Sequence, residues 1–290
     1  MNATRTAASR PPFSRLRSLL FVPGDRPDRM AKAALTQVDA LILDLEDAVT
    51  LAAKPAARAA IAQFLSEPRR QILLVRINPL DSGLAEADLA AILPARPDGI
   101  VLPKAEGAAS VRALAAMLPE TVPILPIATE TPAAMFTLGS YGGVAPHLCG
   151  LTWGAEDLPA AMGAATSRDS DGSFTAPYQL ARSLTLFGAH AAGVAAIETV
   201  YPDFRDEAGL AAYAARGRRD GFTGMMAIHP AQVPVINTAF TPSEDEIAHA
   251  KRLIALFAAN PGAGALSLDG RMVDAPHLTA AQRILQLARA

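Results

Sequence analysis

The chain has 290 residues, 51% hydrophobic and 19% charged, with a net charge of −2. That is enough apolar material for one large core, and the near-neutral balance argues against nucleic acid as the main partner. A lone Cys149 excludes an intramolecular disulfide and a cysteine metal cluster, which fits a reducing, cytoplasmic setting, and no apolar run approaches the roughly 18 residues needed to span a membrane.

Residues 1–17 carry Arg5, Arg10, Arg15 and Arg17 and no acid. They read as a flexible N-terminal arm. A transit peptide shares that bias, but Pro11-Pro12 interrupts any helical face. From there, apolar runs recur at intervals of roughly 25 to 30 residues, the spacing of strand–helix units. They are Ser18 to Val22, Ala40 to Leu45, Ile72 to Ile77, Gly99 to Leu102, Ile124 to Ala128, Leu148 to Trp153, Gly193 to Thr199 and Gly224 to Ile228. Between them, helical spacing is clearest over Arg29 to Leu35, Lys54 to Leu65, Gly83 to Leu93, Ala108 to Leu118, Pro132 to Leu138, Pro177 to Ala192 and Glu207 to Asp220.

Alternation repeated eight times predicts an α/β fold of parallel strands, a (β/α)8 TIM barrel over residues 18–240. The alternative is an open doubly wound sheet, but Pro23-Gly24-Asp25-Arg26-Pro27 is not a dinucleotide turn and no Walker A sequence occurs. Residues 241–290 form a C-terminal helical extension. It comprises a helix over Thr241 to Ala259, a glycine-rich irregular stretch from Gly262 to Asp274, and a helix from Thr279 to Ala288; a barrel needs no such tail, so it reads as a lid or an oligomer arm.

In a barrel, chemistry gathers at the carboxyl ends of the strands. Those ends hold Glu46 and Asp47, Arg76, Lys104 and Glu106, Glu130, Asp157, Glu198 and His229. Glu130 and Asp157 end successive strands, close enough to share one cation; hard oxygen donors suit Mg²⁺, with Mn²⁺ as the alternative. Solvated loop acids or a helix cap are the bland reading. Arg76 interrupts an apolar strand, so it either pairs internally with Glu46 or Asp47 or offers its planar fork to a substrate carboxylate. Asp44 shares a strand face with Glu46, and Glu46 and Asp47 read as acids supporting the metal and Arg76. His229 reads as structural rather than as a base. Arg26, Arg29 and Lys32 either bind phosphate at the rim or form a solvated helix face. Ser167 and Ser173 lack a nucleophile-elbow context.

Seven motifs stand in one order along the chain: Arg17-Ser18-Leu19-Leu20-Phe21-Val22-Pro23-Gly24-Asp25-Arg26-Pro27, Leu43-Asp44-Leu45-Glu46-Asp47-Ala48-Val49, Val75-Arg76-Ile77-Asn78, Leu102-Pro103-Lys104, Thr129-Glu130-Thr131, Trp153-Gly154-Ala155-Glu156-Asp157-Leu158 and Ala227-Ile228-His229-Pro230. Together, from about Arg17 to Arg289, they resemble the citrate lyase beta-subunit-like family of the HpcH/HpaI aldolase superfamily. The resemblance implies a Mg²⁺-dependent lyase acting on a 3-hydroxyacyl thioester of coenzyme A or an acyl carrier protein. It implies Glu130 and Asp157 as metal acids and Arg76 as the substrate arginine. Gly154 and Ala155 would offer amides to a substrate carboxylate. It also implies a homotrimer or hexamer in which Asp274, at the end of the lid motif Leu268 to Asp274, enters a neighbour's site as the acid or base. Two departures stand out: Glu198 where many relatives have Asp, and Met225-Met226 where many have a Lys. Pyruvate aldolases of the superfamily use an early His base, and no His precedes His147 here.

Overall fold

The computed structural model describes residues 13, 15–68 and 70–289. The chain divides into two compact units, Met1–Asn237 and Thr238–Ala290. The arm expected over 1–17 lies mostly outside the described residues, and its last two residues are held in place. Leu16 is buried among the barrel's interior side chains, the Arg17 carbonyl accepts from the Met225 amide at 2.8 Å, and the Arg17 guanidinium pairs with Asp39 at 2.8 Å.

In the first unit eight parallel strands carry the predicted order: β1 (Ser18–Pro23), β2 (Ala40–Asp44), β3 (Ile72–Arg76), β4 (Gly99–Leu102), β5 (Ile124–Pro126), β6 (Gly150–Thr152), β7 (Ala195–Glu198) and β8 (Gly224–Ala227). Their order around the sheet is β5-β4-β3-β2-β1-β8-β7-β6. The two ends meet through parallel bridges Ile124↔Leu148 and Ile127↔Thr152, so the sheet closes into a barrel. This seam is the least regular part of the ring. β5 is only three residues long and ends in Pro126, which has no N–H to give to a ladder.

Helices cover the outside: α1 (Pro27–Ala33), α2 (Lys54–Leu65), α3 (Ala85–Ile92), α4 (Ala108–Ala115), α5 (Asp157–Met162), α6 (Ala176–Ala192), α7 (Glu207–Asp220) and α8 (Gln232–Ala239). The short α5 and α8 were not predicted. The helix expected at Pro132 to Leu138 is instead 3₁₀ over Ala133–Phe136 and Leu138–His147, where three glycines and Pro146 disfavour a regular α-helix.

The interior is set by strand parity. Ala40 and Ile42 of β2 and Ile72 and Leu74 of β3 point into the barrel with Leu19, Val101, Leu125, Ile127, Ile197 and Met226. The same period of two carries Asp44 and Arg76 onto that inward face at the carboxyl end, where they are register partners.

The second unit opens with α9 (Glu244–Ala259). A reciprocal capping box of Ser243 and Glu246 starts this helix. The stretch expected to be irregular is a β-hairpin, β9 (Ala265–Leu268) and β10 (Arg271–Asp274). Its two-residue turn, Asp269-Gly270, has positive φ at both positions, the hairpin turn that matches strand twist. α10 (Ala275–Arg289) follows at once and starts earlier than Thr279. Val273, Ala250, Leu253 and Ala281 form this unit's core. Among the described residues no helix is long and apolar enough to cross a membrane.

Candidate active site

The centre of the carboxyl face is an arginine braced by acids. Arg76 donates from Nε to Asp44 Oδ1 at 2.7 Å and from Nη2 to Asp44 Oδ2 at 2.6 Å, a full bidentate fork. Its third nitrogen, Nη1, lies 2.8 Å from Glu46 Oε2 and 4.0 Å from Asp47. Phe21 packs against the guanidinium at 4.9 Å. Burial works against the cation, but Asp44 and Glu46 more than offset it and hold the guanidinium firmly protonated. The choice left open by the sequence therefore goes to an internal pair, with Asp44 as the main partner rather than Glu46 or Asp47. The fork is not free for a substrate carboxylate. Asp47 is mostly exposed and peripheral.

Glu46 is buried. Its Oε1 accepts from Lys104 Nζ at 2.7 Å, while Oε2 lacks a hydrogen-bond donor although Arg76 is near. Burial pushes its carboxyl up, against the pull of Arg76 and Lys104. Glu130, also buried, follows β5, and its Oε2 accepts the Lys104 backbone N–H at 2.6 Å. Burial, with the charges of Glu46 and Asp157 added, pushes this carboxyl up to about 8. Asp157 begins α5 after β6 and lies 3.8 Å from Lys104 Nζ. The predicted metal acids therefore converge on one residue, Lys104, and Asp157 adds to the rise of the Glu130 carboxyl.

Gly154 has a geometric reason to be glycine. A Cβ there would stand 2.7 Å from Glu130 Cγ and 3.1 Å from Oε1. Its amide donates to Thr129 Oγ1 at 3.2 Å, so it is not free for the substrate contact expected of it. The Ala155 amide has no acceptor among the described residues.

A divalent cation fits the donor set. Glu130 Oε1 and both Asp157 oxygens lack hydrogen-bond donors among the described residues, and burial, with the charges of Glu46 and Asp157 beside it, raises the Glu130 carboxyl. No group of three or more His, Cys, Asp or Glu gathers to hold an ion among the described residues. Two carboxylates would therefore leave room for water and substrate oxygens, the usual arrangement for Mg²⁺.

The other predicted residues have different surroundings. Arg26 is forked onto Asp28 at the surface, and Lys32 is exposed on α1. His229 stacks on Phe204 at 4.8 Å, and its Nδ1 accepts the Ala231 amide, a structural arrangement. Glu198 is wholly buried, taking Trp153 Nε1 at 2.6 Å, Tyr213 at 2.9 Å and Arg182 at 2.7 Å. Asp274 ends β10 in the second unit, and its carboxylate lies 2.5 Å from His277 Nδ1.

A buried support escaped the sequence reading. Lys54 Nζ donates to the carbonyls of Leu45 and Glu46 and to Asn78 Oδ1. Asn78 and Arg58 in turn donate to the buried Asp88. This network fixes the turn that carries Glu46. Lys54 looked like an ordinary first-turn residue of α2; the available signal was Asn78, a polar residue at the same parity as Arg76.

A model of the HpcH/HpaI aldolase/citrate lyase family matches residues 17–230. The chain belongs to that family. A citrate lyase subunit beta-like protein of Mycobacterium tuberculosis is 39% identical over 269 residues, covering 93% of this chain and 94% of the relative. A (3S)-malyl-CoA thioesterase of Cereibacter sphaeroides is 36% identical over 278 residues, covering 94% and 95%. The crystal structure of the family member CitE from Mycobacterium tuberculosis, in complex with magnesium, acetoacetate and coenzyme A, superposes with a TM-score of 0.83. It shows 37% identity over 96% of this chain and 100% of that one. A citrate lyase beta subunit from the same organism, complexed with oxaloacetate and magnesium, gives 0.71 at 38% identity over 79% and 99%.

Proposed function

We propose that this chain is a magnesium-dependent carbon–carbon lyase that cleaves, or in reverse forms, a 3-hydroxyacyl thioester of the citryl, malyl or citramalyl type. The observation that carries the reading is the pair Glu130 and Asp157, two carboxylates with uncommitted oxygens at the mouth of the family's barrel. Relatives complexed with magnesium, oxaloacetate, or acetoacetate and coenzyme A support the same substrate chemistry.

Glu130 and Asp157 would hold Mg²⁺. The ion, when bound, polarises the hydroxyl and carboxylate oxygens of the oxoacid half. Arg76, braced by Asp44, turns the Nη1 edge that it shares with Glu46 to the anionic substrate, and the Ala155 amide offers a further donor. Cleavage leaves a thioester enolate whose carbon needs a proton. Asp274, from a neighbouring copy in a trimer or hexamer, is the acid in that direction and the base in synthesis.

The test pairs metal titration with turnover in Glu130→Gln and Asp157→Asn. Both variants lose Mg²⁺ binding and thioester cleavage together; an unchanged titration in either removes that ligand. Asp274→Asn retains Mg²⁺ binding but loses solvent-deuterium exchange into the acetyl thioester. Mixing Asp274→Asn with Glu130→Gln restores part of the turnover if Asp274 serves a neighbour's site, and none if it serves its own.

A second reading is a hydrolase that releases coenzyme A from a malyl thioester. The 36%-identical malyl-CoA thioesterase favours it.

A further inference from the structure

The two cations among these carboxylates are committed unequally. Arg76 gives Nε and Nη2 to Asp44, and its side chain is nearly enclosed. Lys104 keeps 34% of its side-chain surface exposed. Its ammonium has three N–H groups, of which Glu46 Oε1 takes one at 2.7 Å; Asp157 Oδ1 stands 3.8 Å away. Its backbone is left-handed, with φ +50, a conformation that strains any residue bearing a Cβ. In that conformation the Lys104 amide meets Glu130 Oε2 at 2.6 Å while the side chain reaches Glu46 and faces Asp157. One residue thus touches both proposed metal acids and the acid beneath Arg76.

We propose that Lys104 has two linked tasks: it is the substrate-binding cation for the anionic oxygens of a small 2-oxoacid, and it is the internal counter-charge that limits how tightly Glu130 and Asp157 hold a divalent ion. This rests on the magnesium reading above. Arg76 then serves mainly as a brace, held by Asp44 and Glu46, and Lys104 supplies the mobile positive charge. A flexible four-carbon stem with rotatable donors suits a group that stands between acids when the site is empty of substrate and turns to an incoming anion. Its place beside both acids also means that two effects of removing it have opposite signs. Metal affinity gains from the lost repulsion, while oxoacid affinity loses a charged contact.

That sign difference is the test, read by calorimetry rather than turnover. Mg²⁺ alone is titrated into wild type, Lys104→Met, Lys104→Gln and Lys104→Arg; pyruvate is then titrated into each at saturating Mg²⁺. In Lys104→Met and Lys104→Gln, Mg²⁺ binds more tightly and pyruvate more weakly, each by about tenfold. Lys104→Arg, which keeps the charge, stays within about threefold of wild type for the metal. Two neutral variants of different polarity guard against one that fails to fold. A residue that only shaped the loop would weaken both ligands together. That result, or no change in either constant, overturns the proposal. If instead Glu130→Gln binds Mg²⁺ as wild type does, the metal reading itself fails, whatever Lys104 does.

Discussion

Gly154 and Glu130 show how tightly the site is built. The Gly154 Cα faces the Glu130 side chain so closely that a methyl group would displace it. Gly154→Ala should therefore lower Mg²⁺ affinity by about tenfold or more, about 1.4 kcal/mol, while the melting temperature changes little, because the displaced group is a side chain rather than backbone. Unchanged calorimetric affinity in this variant would show that the position of Glu130 does not matter. Protonation gives a second prediction. In the metal-free protein the Glu130 carboxyl titrates near 8, pushed up by burial and by Glu46 and Asp157. Metal needs the carboxylate, so Mg²⁺ binding at neutral pH should release protons, and apparent affinity should climb from about pH 6 to 8 and then level off. The same shift has a stability consequence. The folded protein holds this proton where the unfolded chain has lost it, so metal-free stability falls as pH rises from the ordinary carboxylate range through about 8. Melting curves with and without Mg²⁺ across that range check the sign. At this scale the sequence was legible for residue type but not for commitment. Arg76 was identifiable as a buried cation needing a partner. That its partner would be Asp44 depended on inter-strand register, which places Asp44 directly beside it. The role of Gly154 depended on a distance that no local pattern encodes.

Among the elements, β6, β7 and α6 are locked by one acid. Glu198 at the end of β7 receives Trp153, Tyr213 and the Thr199 amide on one oxygen and Arg182 of α6 on the other, and Arg182 also reaches Asp220. A glutamate has the length to span this gap to the outer helix layer. Glu198→Ala would take one of two acids from the buried Arg182 guanidinium and leave three buried donors unpaired, which should cost about 3–5 kcal/mol in urea unfolding. Mg²⁺ affinity in the folded fraction should be unchanged, because Glu198 lies outside the Glu130–Asp157 cluster. Loss of metal binding at native stability would contradict this structural assignment. Helices with strong periodicity, such as α2 and α7, were legible to the residue. The hairpin β9–β10 was not, because its Asp269-Gly270 turn was weighed as glycine-rich irregularity instead of as a type I′ signal. α5 escaped because a six-residue helix is shorter than two turns and leaves no period to count.

For the molecule as a whole, the eight-fold alternation was enough to predict the barrel, since each apolar run had to be covered on one face by the intervening helices and on the other by the runs across the barrel. The gathering of acids and cations at one face followed from the carboxyl-end rule and from the common parity of Ile42, Asp44 and Glu46. Closure at the β5–β6 seam was less visible, because only isolated bridges join those strands. Substrate choice lies below this resolution of reading. One methyl group in the pocket changes discrimination by only about 1–3 kcal/mol and comes from shape rather than motif. Whether the barrel mouth breaks a carbon–carbon bond is decided by product analysis. The purified protein is incubated with Mg²⁺ and malyl-CoA, citramalyl-CoA or citryl-CoA, and the thioesters and free acids are separated. At least one substrate should yield acetyl-CoA together with the matching 2-oxoacid, dependent on Mg²⁺. Free coenzyme A with the hydroxyacid intact would contradict it and establish the hydrolase instead.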